Sequence, residues 1–197
     1  DYLVIHHMEP DHSGSIKSVI DMYPDVKLVG NKKTQDFLEA FYGVAGNFIE
    51  VKEGDTLDLG DKKLTFYMTP MVHWPESMVS YESKHKILFS QDAFGGFGAL
   101  DGPIFDDEIN WDFYESETRR YYSNIVGKYG AQVQSALKKL SKLEIKMICP
   151  LHGPSWRTNL EYYLDKYNKW SSYTPEKKGV VLFFASMYGN TENAINM

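Results

Sequence analysis

The sequence predicts an α/β architecture in which helices cover two packed β-sheets, followed by the first strand, turn and helix of a second α/β unit. Three observations lead there. Short apolar runs alternate with longer stretches of helical period, a strand-rich stretch from Ile49 to Phe89 interrupts that alternation, and a separate apolar run, Val180 to Ala185, follows a polar segment.

In chain order, a first strand is expected near Tyr2 to His6, an apolar run too short for a helix, and a first helix near Gly14 to Met22. Lys27 to Val29 is the next strand and Lys33 to Tyr42 the next helix. The strand-rich stretch supplies Phe48 to Val51, Thr56 to Leu59, Lys63 to Met68, Met78 to Tyr81 and Ile87 to Phe89. Helical periodicity returns over Trp111 to Tyr129 and Gln132 to Leu143, a strand follows over Ile145 to Cys149, and a helix over Asn159 to Trp170 closes the unit. Residues 1–170 are therefore taken as one domain, 171–178 as a polar linker, and 179–197 as the start of another. Val180 to Ala185 is a continuous apolar run, as in a buried parallel strand, and leads through Ser186, Met187, Tyr188, Gly189, Asn190 and Thr191 into a helix. Such a turn is an anion cradle: backbone N–H groups and hydroxyls converge on a phosphate, aided by the helix dipole.

The first predicted strand delivers an unusual segment. His7, Met8, Glu9, Pro10, Asp11 and His12 set two imidazoles and two carboxylates within one turn's reach. Read as ligands, the group continues with His73 after 60 residues, Asp92 after another 18 and His152 after another 59, each at a predicted strand-to-loop junction. Seven ligand-type side chains suffice for two metal ions. In an extended segment His7, Glu9 and Asp11 face one side, while His12 opens the next element and turns back. Asp92 is the natural bridge, because a carboxylate can hold two ions roughly 3.5 to 4 Å apart. Histidine with several carboxylates and no thiolate favours iron or manganese, although zinc also accepts carboxylates.

The pattern histidine, any, glutamate, any, aspartate, histidine, with distant histidine, aspartate and histidine, resembles the di-iron site of flavodiiron proteins, the A-type flavoproteins. The stretches Val72-His73-Trp74-Pro75-Glu76-Ser77-Met78, Leu88-Phe89-Ser90-Gln91-Asp92-Ala93-Phe94-Gly95 and Pro150-Leu151-His152-Gly153-Pro154 are similar to that family's ligand motifs. The resemblance implies a metallo-β-lactamase-like αββα sandwich followed by a truncated flavodoxin-like βα start, with Ser186 to Thr191 taking the phosphate of FMN. It implies two Fe ions per chain, one at His7, Glu9 and His73, the other at Asp11, His12 and His152, bridged by Asp92. The activity it implies is reduction of dioxygen to water, which takes four electrons, or of two nitric oxides to nitrous oxide, which takes two. Electrons would arrive through FMN from a donor such as rubredoxin or a reduced deazaflavin, in a head-to-tail homodimer. The alternative is a di-zinc hydrolase of the same superfamily, which normally has histidine where Glu9 stands.

Other candidates carry less. Trp74, Phe94, Phe97, Tyr121 and Tyr122 are pocket candidates, a tyrosine hydroxyl serving as a proton or hydrogen-bond donor; filling the core is the competing role. His6 should point to the strand's opposite face and His85 should sit in an exposed turn. Asp101, Asp106, Asp107 and Glu108 read as a solvated loop. Cys149, between Ile148 and Pro150, reads as a small core residue and, being single, forms no intrachain disulfide.

Composition bounds the rest. A hydrophobic fraction of 43% supports a sizeable core, and a net charge of -6 argues against general nucleic-acid binding. No apolar stretch approaches the ~18 residues that span a membrane, so a cytoplasmic enzyme is expected. Residues 179–197 are too few for a core of their own, since small domains need at least about 40 to 50 residues; the sequence is expected to be an internal stretch of a longer polypeptide.

Overall fold

The computed structural model describes residues 1–44 and 46–197. Strands β1 (Tyr2–Val4), β2 (Lys27–Gly30) and β3 (Phe48–Glu50) form a parallel sheet in that order. Parallel neighbours need crossover connections. These are α1 (Pro10–Ser13) and α2 (Ile16–Met22) after β1, and α3 (Lys32–Tyr42) after β2. Asn31 starts α3 by accepting from the Thr34 amide at 3.1 Å, and Gly43 ends it in the left-handed region, which a side chain would resist. The apolar faces of these helices bury Ile16 and Leu38 with Ile5, Met8 and Leu28 of the sheet side.

The second sheet is mixed: β4 (Thr56–Asp58), β5 (Lys63–Met68), β6 (Met78–Glu82), β7 (Ile87–Gln91) and β8 (Met147–Pro150), in that order. The first four run antiparallel, and β8 joins β7 in parallel. That last pairing requires the long crossover formed by α4 (Trp111–Tyr121), a π-helical turn (Tyr122–Val126), a 3₁₀ turn (Gly127–Tyr129) and α5 (Gly130–Leu140). Helix α6 (Leu160–Ser171) follows β8 and packs beside α5 on the outer face. Val29 and Val51 from the first sheet meet Leu64, Phe66 and Met78 from the second between the two. The outer core joins Val79, Leu88 and Ile148 to Trp156, Tyr163 and Tyr167. The layers are thus helices, sheet, sheet, helices, the αββα order expected.

Several local differences have physical reasons. The first helix opens at Pro10, and the chain turns at Gly14 and Ser15 before continuing as α2; proline at a first helical position has its φ already set. The stretch expected as one helix to Tyr129 passes instead from α to π to 3₁₀ geometry. Val180 to Ala185 forms no strand: Phe183 is 95% exposed, and no described residue lies alongside to hydrogen-bond with it. The turn and helix after it do form, with Gly189 at φ 80° and α7 spanning Asn190–Ile195. The segment after α6 is held down at Glu176, which accepts from Arg119 Nε at 2.8 Å and Trp170 Nε1 at 3.0 Å and also pairs with Lys166. Asp106 is not solvated as the sequence indicated. It is buried and accepts from the Arg157 amide, the Thr158 hydroxyl and the Asn159 amide, satisfying the donors that lead into α6. Its neighbours Asp107 and Glu108 pair with Arg157.

Candidate metal centre

All seven ligand-type side chains gather at one end of the sandwich, each on the segment that follows a strand. His7 and Glu9 lie on irregular backbone after β1, while Asp11 and His12 lie in the first turn of α1, so Asp11 reaches the site from a helix and not from an extended segment. His73 comes from the β5–β6 loop, Asp92 directly follows β7, and His152 follows β8. Close approach of these loops needs small residues. A Cβ at Gly153, whose φ is +74°, would lie 2.9 Å from the Gly96 nitrogen, and one at Gly95 would lie 3.0 Å from the Asp92 carbonyl oxygen.

The donor atoms form two groups, one of His7, Glu9, His73 and Asp92 and the other of Asp11, His12 and His152. Asp92 joins them. Its Oδ2 lies 3.1 Å from His7 Nε2 and 3.0 Å from His73 Nε2, and its Oδ1 lies 2.9 Å from His12 Nε2 and 3.4 Å from His152 Nε2. Glu9 Oε2 sits 3.0 Å from His73 Nε2, and Asp11 Oδ2 sits 3.2 Å from His152 Nε2. Among the described residues no lysine or arginine pairs with these carboxylates, and His12 and His152 turn their Nε2 atoms toward each other at 3.2 Å. Converging imidazoles and carboxylates with no lysine or arginine among them fit a pair of metal ions.

The electrostatics agree with a site that draws in positive charge. Burial disfavours an imidazolium at His7, yet its hydrogen bonds to Asp92 and Glu76 outweigh burial and raise its pKa to about 10. Burial alone would raise the Asp92 carboxyl, but hydrogen bonds from His12, His7 and His73 hold it far below the usual carboxylate range.

Two residues around the donors were not singled out as ligands or partners by sequence reasoning. Glu76 is fully buried and accepts from His7 Nδ1 at 2.7 Å and the Met8 amide at 2.8 Å. Gln91 accepts from the Asp92 amide at 2.6 Å through Oε1 and donates through Nε2 to the Val72 carbonyl, tying the loop of Asp92 to that of His73. Only contact geometry identifies them, since a glutamate or glutamine beside a ligand motif carries no pattern of its own.

The aromatic candidates divide. Trp74 meets His7 edge-on at 5.1 Å, and Tyr121 stands 5.6 Å from the His152 ring with Phe97 behind it at 4.9 Å. Burial and the charge of Asp92 push the Tyr121 phenol well above its ordinary range. Tyr122 does not reach the site: it packs on Tyr167 and Trp170 in the outer core, because the next residue on a helix points about 100° away. Phe94 likewise stacks into the core against Tyr167. His6 turns to the Ser80 hydroxyl at 2.8 Å, with burial lowering its pKa to about 4, and His85 pairs with Glu82.

A family model described as ODP family beta lactamase matches residues 1–153. The chain belongs to the ODP β-lactamase family. Within that family its likeness is to flavodiiron proteins. This ODP domain is 33% identical over 195 residues to a nitric oxide reductase of Moorella thermoacetica, covering 98% of this chain and 48% of that protein. A single-residue variant of the flavo di-iron protein from Thermotoga maritima superposes with a TM-score of 0.90 at 32% identity, over 99% of this chain and 48% of that one. Rubredoxin oxygen:oxidoreductase from Desulfovibrio gigas gives 0.83 at 34%, over 87% and 42%. The ODP chain thus spans about half the length, or less, of the relatives it matches.

Proposed function

We propose that this domain is the metal-binding part of a flavodiiron oxidoreductase that reduces dioxygen to water, nitric oxide to nitrous oxide, or both. The single observation that carries the reading is the pair of donor groups sharing Asp92, with the carboxylate of Glu9 where the hydrolases have histidine. His7, Glu9 and His73 would hold one iron, Asp11, His12 and His152 the other, and Asp92 would span them. When bound, two adjacent ferrous ions supply electrons and open positions for a small gas. The chain's own residues fix the arrangement. Glu76 keeps the Nε2 of His7 facing its group, Trp74 packs edge-on against the His7 ring and Phe97 against that of Tyr121, and the Tyr121 hydroxyl is placed to donate a proton or hydrogen bond beside Asp92.

Ser186, Met187, Tyr188, Gly189, Asn190 and Thr191 would take the phosphate of FMN. The left-handed Gly189 and the start of α7, which no side chain caps, fit an anion. FMN bound there would relay electrons from a rubredoxin-type donor or a reduced deazaflavin, with two subunits arranged head to tail. No helix among the described residues is long and apolar enough to cross a membrane, and the reading places the enzyme in the cytoplasm.

The test is metal and flavin analysis of the full-length protein purified without added metal, followed by anaerobic nitric oxide and aerobic dioxygen consumption with a reduced donor. Two irons and one FMN per chain with gas turnover are expected. Two zincs without flavin, and hydrolysis of an ester or lactam, would replace this reading with the hydrolase.

A further inference from the structure

We propose that the two donor groups hold their ions unequally: a tight inner position at His7, Glu9 and His73, an exchangeable outer position at Asp11, His12 and His152, with Glu76 as the positioning residue that sets the difference. The inference rests on the reading that these seven side chains bind two metal ions.

Glu76 is fixed from both sides. Its Oε1 accepts from His7 Nδ1 and the Met8 amide, and its backbone carbonyl accepts from Asn31 Nδ2 at 2.6 Å. A proton on Nδ1 leaves the lone pair on Nε2, the nitrogen that faces Glu9 and Asp92 at 3.3 and 3.1 Å. The buried Oε2 of Glu76 has no hydrogen-bond partner, so His7 and the Met8 amide are the donors to this carboxylate, and His7 is its one side-chain partner among the described residues. Among the described residues His12, His73 and His152 hydrogen-bond only through Nε2. Exposure separates the groups in the same direction. The His7 side chain is 0% exposed, whereas Asp11 is 50% and His152 37% exposed, so water can replace two of the three outer donors. Glu9, at 36%, is the single open donor of the inner group.

The full-length protein, stripped of metal, is titrated anaerobically with ferrous ion in competition with a chelator. Two affinity classes are expected. Glu76→Ala should weaken the first equivalent by about 10- to 100-fold while leaving the second within a few-fold. Glu76→Gln, which keeps the volume and one acceptor oxygen, should fold as the wild type does by circular dichroism and weaken the first equivalent less. His152→Ala should remove the weaker class and His73→Ala the tighter one. Equal affinities for the two equivalents, or an unchanged first equivalent in both Glu76 variants, would overturn the inference while the two-ion reading stands. Fewer than two ions bound by the wild type would overturn both.

Discussion

Gln91→Leu is the sharpest probe of how the fold fixes the site. Gln91 is 1% exposed, and its amide is the partner of two buried backbone groups, the Asp92 N–H at 2.6 Å and the Val72 carbonyl. Leucine has nearly the same volume, so no large cavity forms and the change isolates the two hydrogen bonds. Each orphaned buried group costs roughly 1–3 kcal/mol, about 2–6 together. An apolar side chain at a fully buried position recovers about 2 kcal/mol of that. The expected net loss is at most about 4 kcal/mol and about 2 at the middle of these ranges, read in urea denaturation of the metal-free protein as a lower midpoint at an unchanged slope. Because the orphaned groups adjoin His73 and Asp92, the same variant should bind its first ion more weakly. No measurable loss of stability together with wild-type metal binding would refute the idea that this amide holds the two loops in register.

Three further outcomes are expected. Glu176→Gln should destabilise the protein by about 1 kcal/mol, a modest figure because Arg119 is 41% exposed and screened by water. Burial raises the Glu176 carboxyl, but Arg119, Lys166 and Trp170 outweigh it and bring it from 4.5 to about 2. Its contribution is therefore complete above pH 4.5 and disappears as pH falls through about 2; a difference between variant and wild type that persisted at the acid end would contradict the ion-pair account. Tyr121→Phe should lower gas turnover in the full-length enzyme about a hundredfold with iron and flavin content unchanged; equal turnover would remove Tyr121 from the mechanism. Glu9→His should shift metal preference toward zinc and abolish gas reduction, which elemental analysis and a nitric oxide electrode would report. Retained iron and turnover would show Glu9 to be dispensable.

The sequence was most readable where chemistry concentrates. Four ligand-type residues between His7 and His12 are more than packing calls for, and His73, Asp92 and His152 stand in motifs near strand ends. What stayed hidden depends on contacts made across the fold. Glu76 becomes important only when the β5–β6 loop folds over His7, and Asp106 only when the segment before α6 returns to it. The neighbours Tyr121 and Tyr122 are alike in sequence; the helix face, settled where α4 passes into a π turn, sends one to the site and the other to the core. Val180 to Ala185 has a strand's composition without a strand's neighbours, and propensity alone does not close a ladder.

The donors are divided between the sheets: His7, Glu9, Asp11 and His12 follow a strand of the three-stranded sheet, whereas His73, Asp92 and His152 hang from the five-stranded one. On the proposed reading an ion in either group would act as a rivet between the two halves of the sandwich, and its binding energy would become folding energy. At a free concentration one hundred times its dissociation constant, a single ion would add about 2.7 kcal/mol, a large share of a typical domain's margin. Metal supply would then govern how long the polypeptide survives proteolysis, so that a starved cell would lose the protein itself along with its activity.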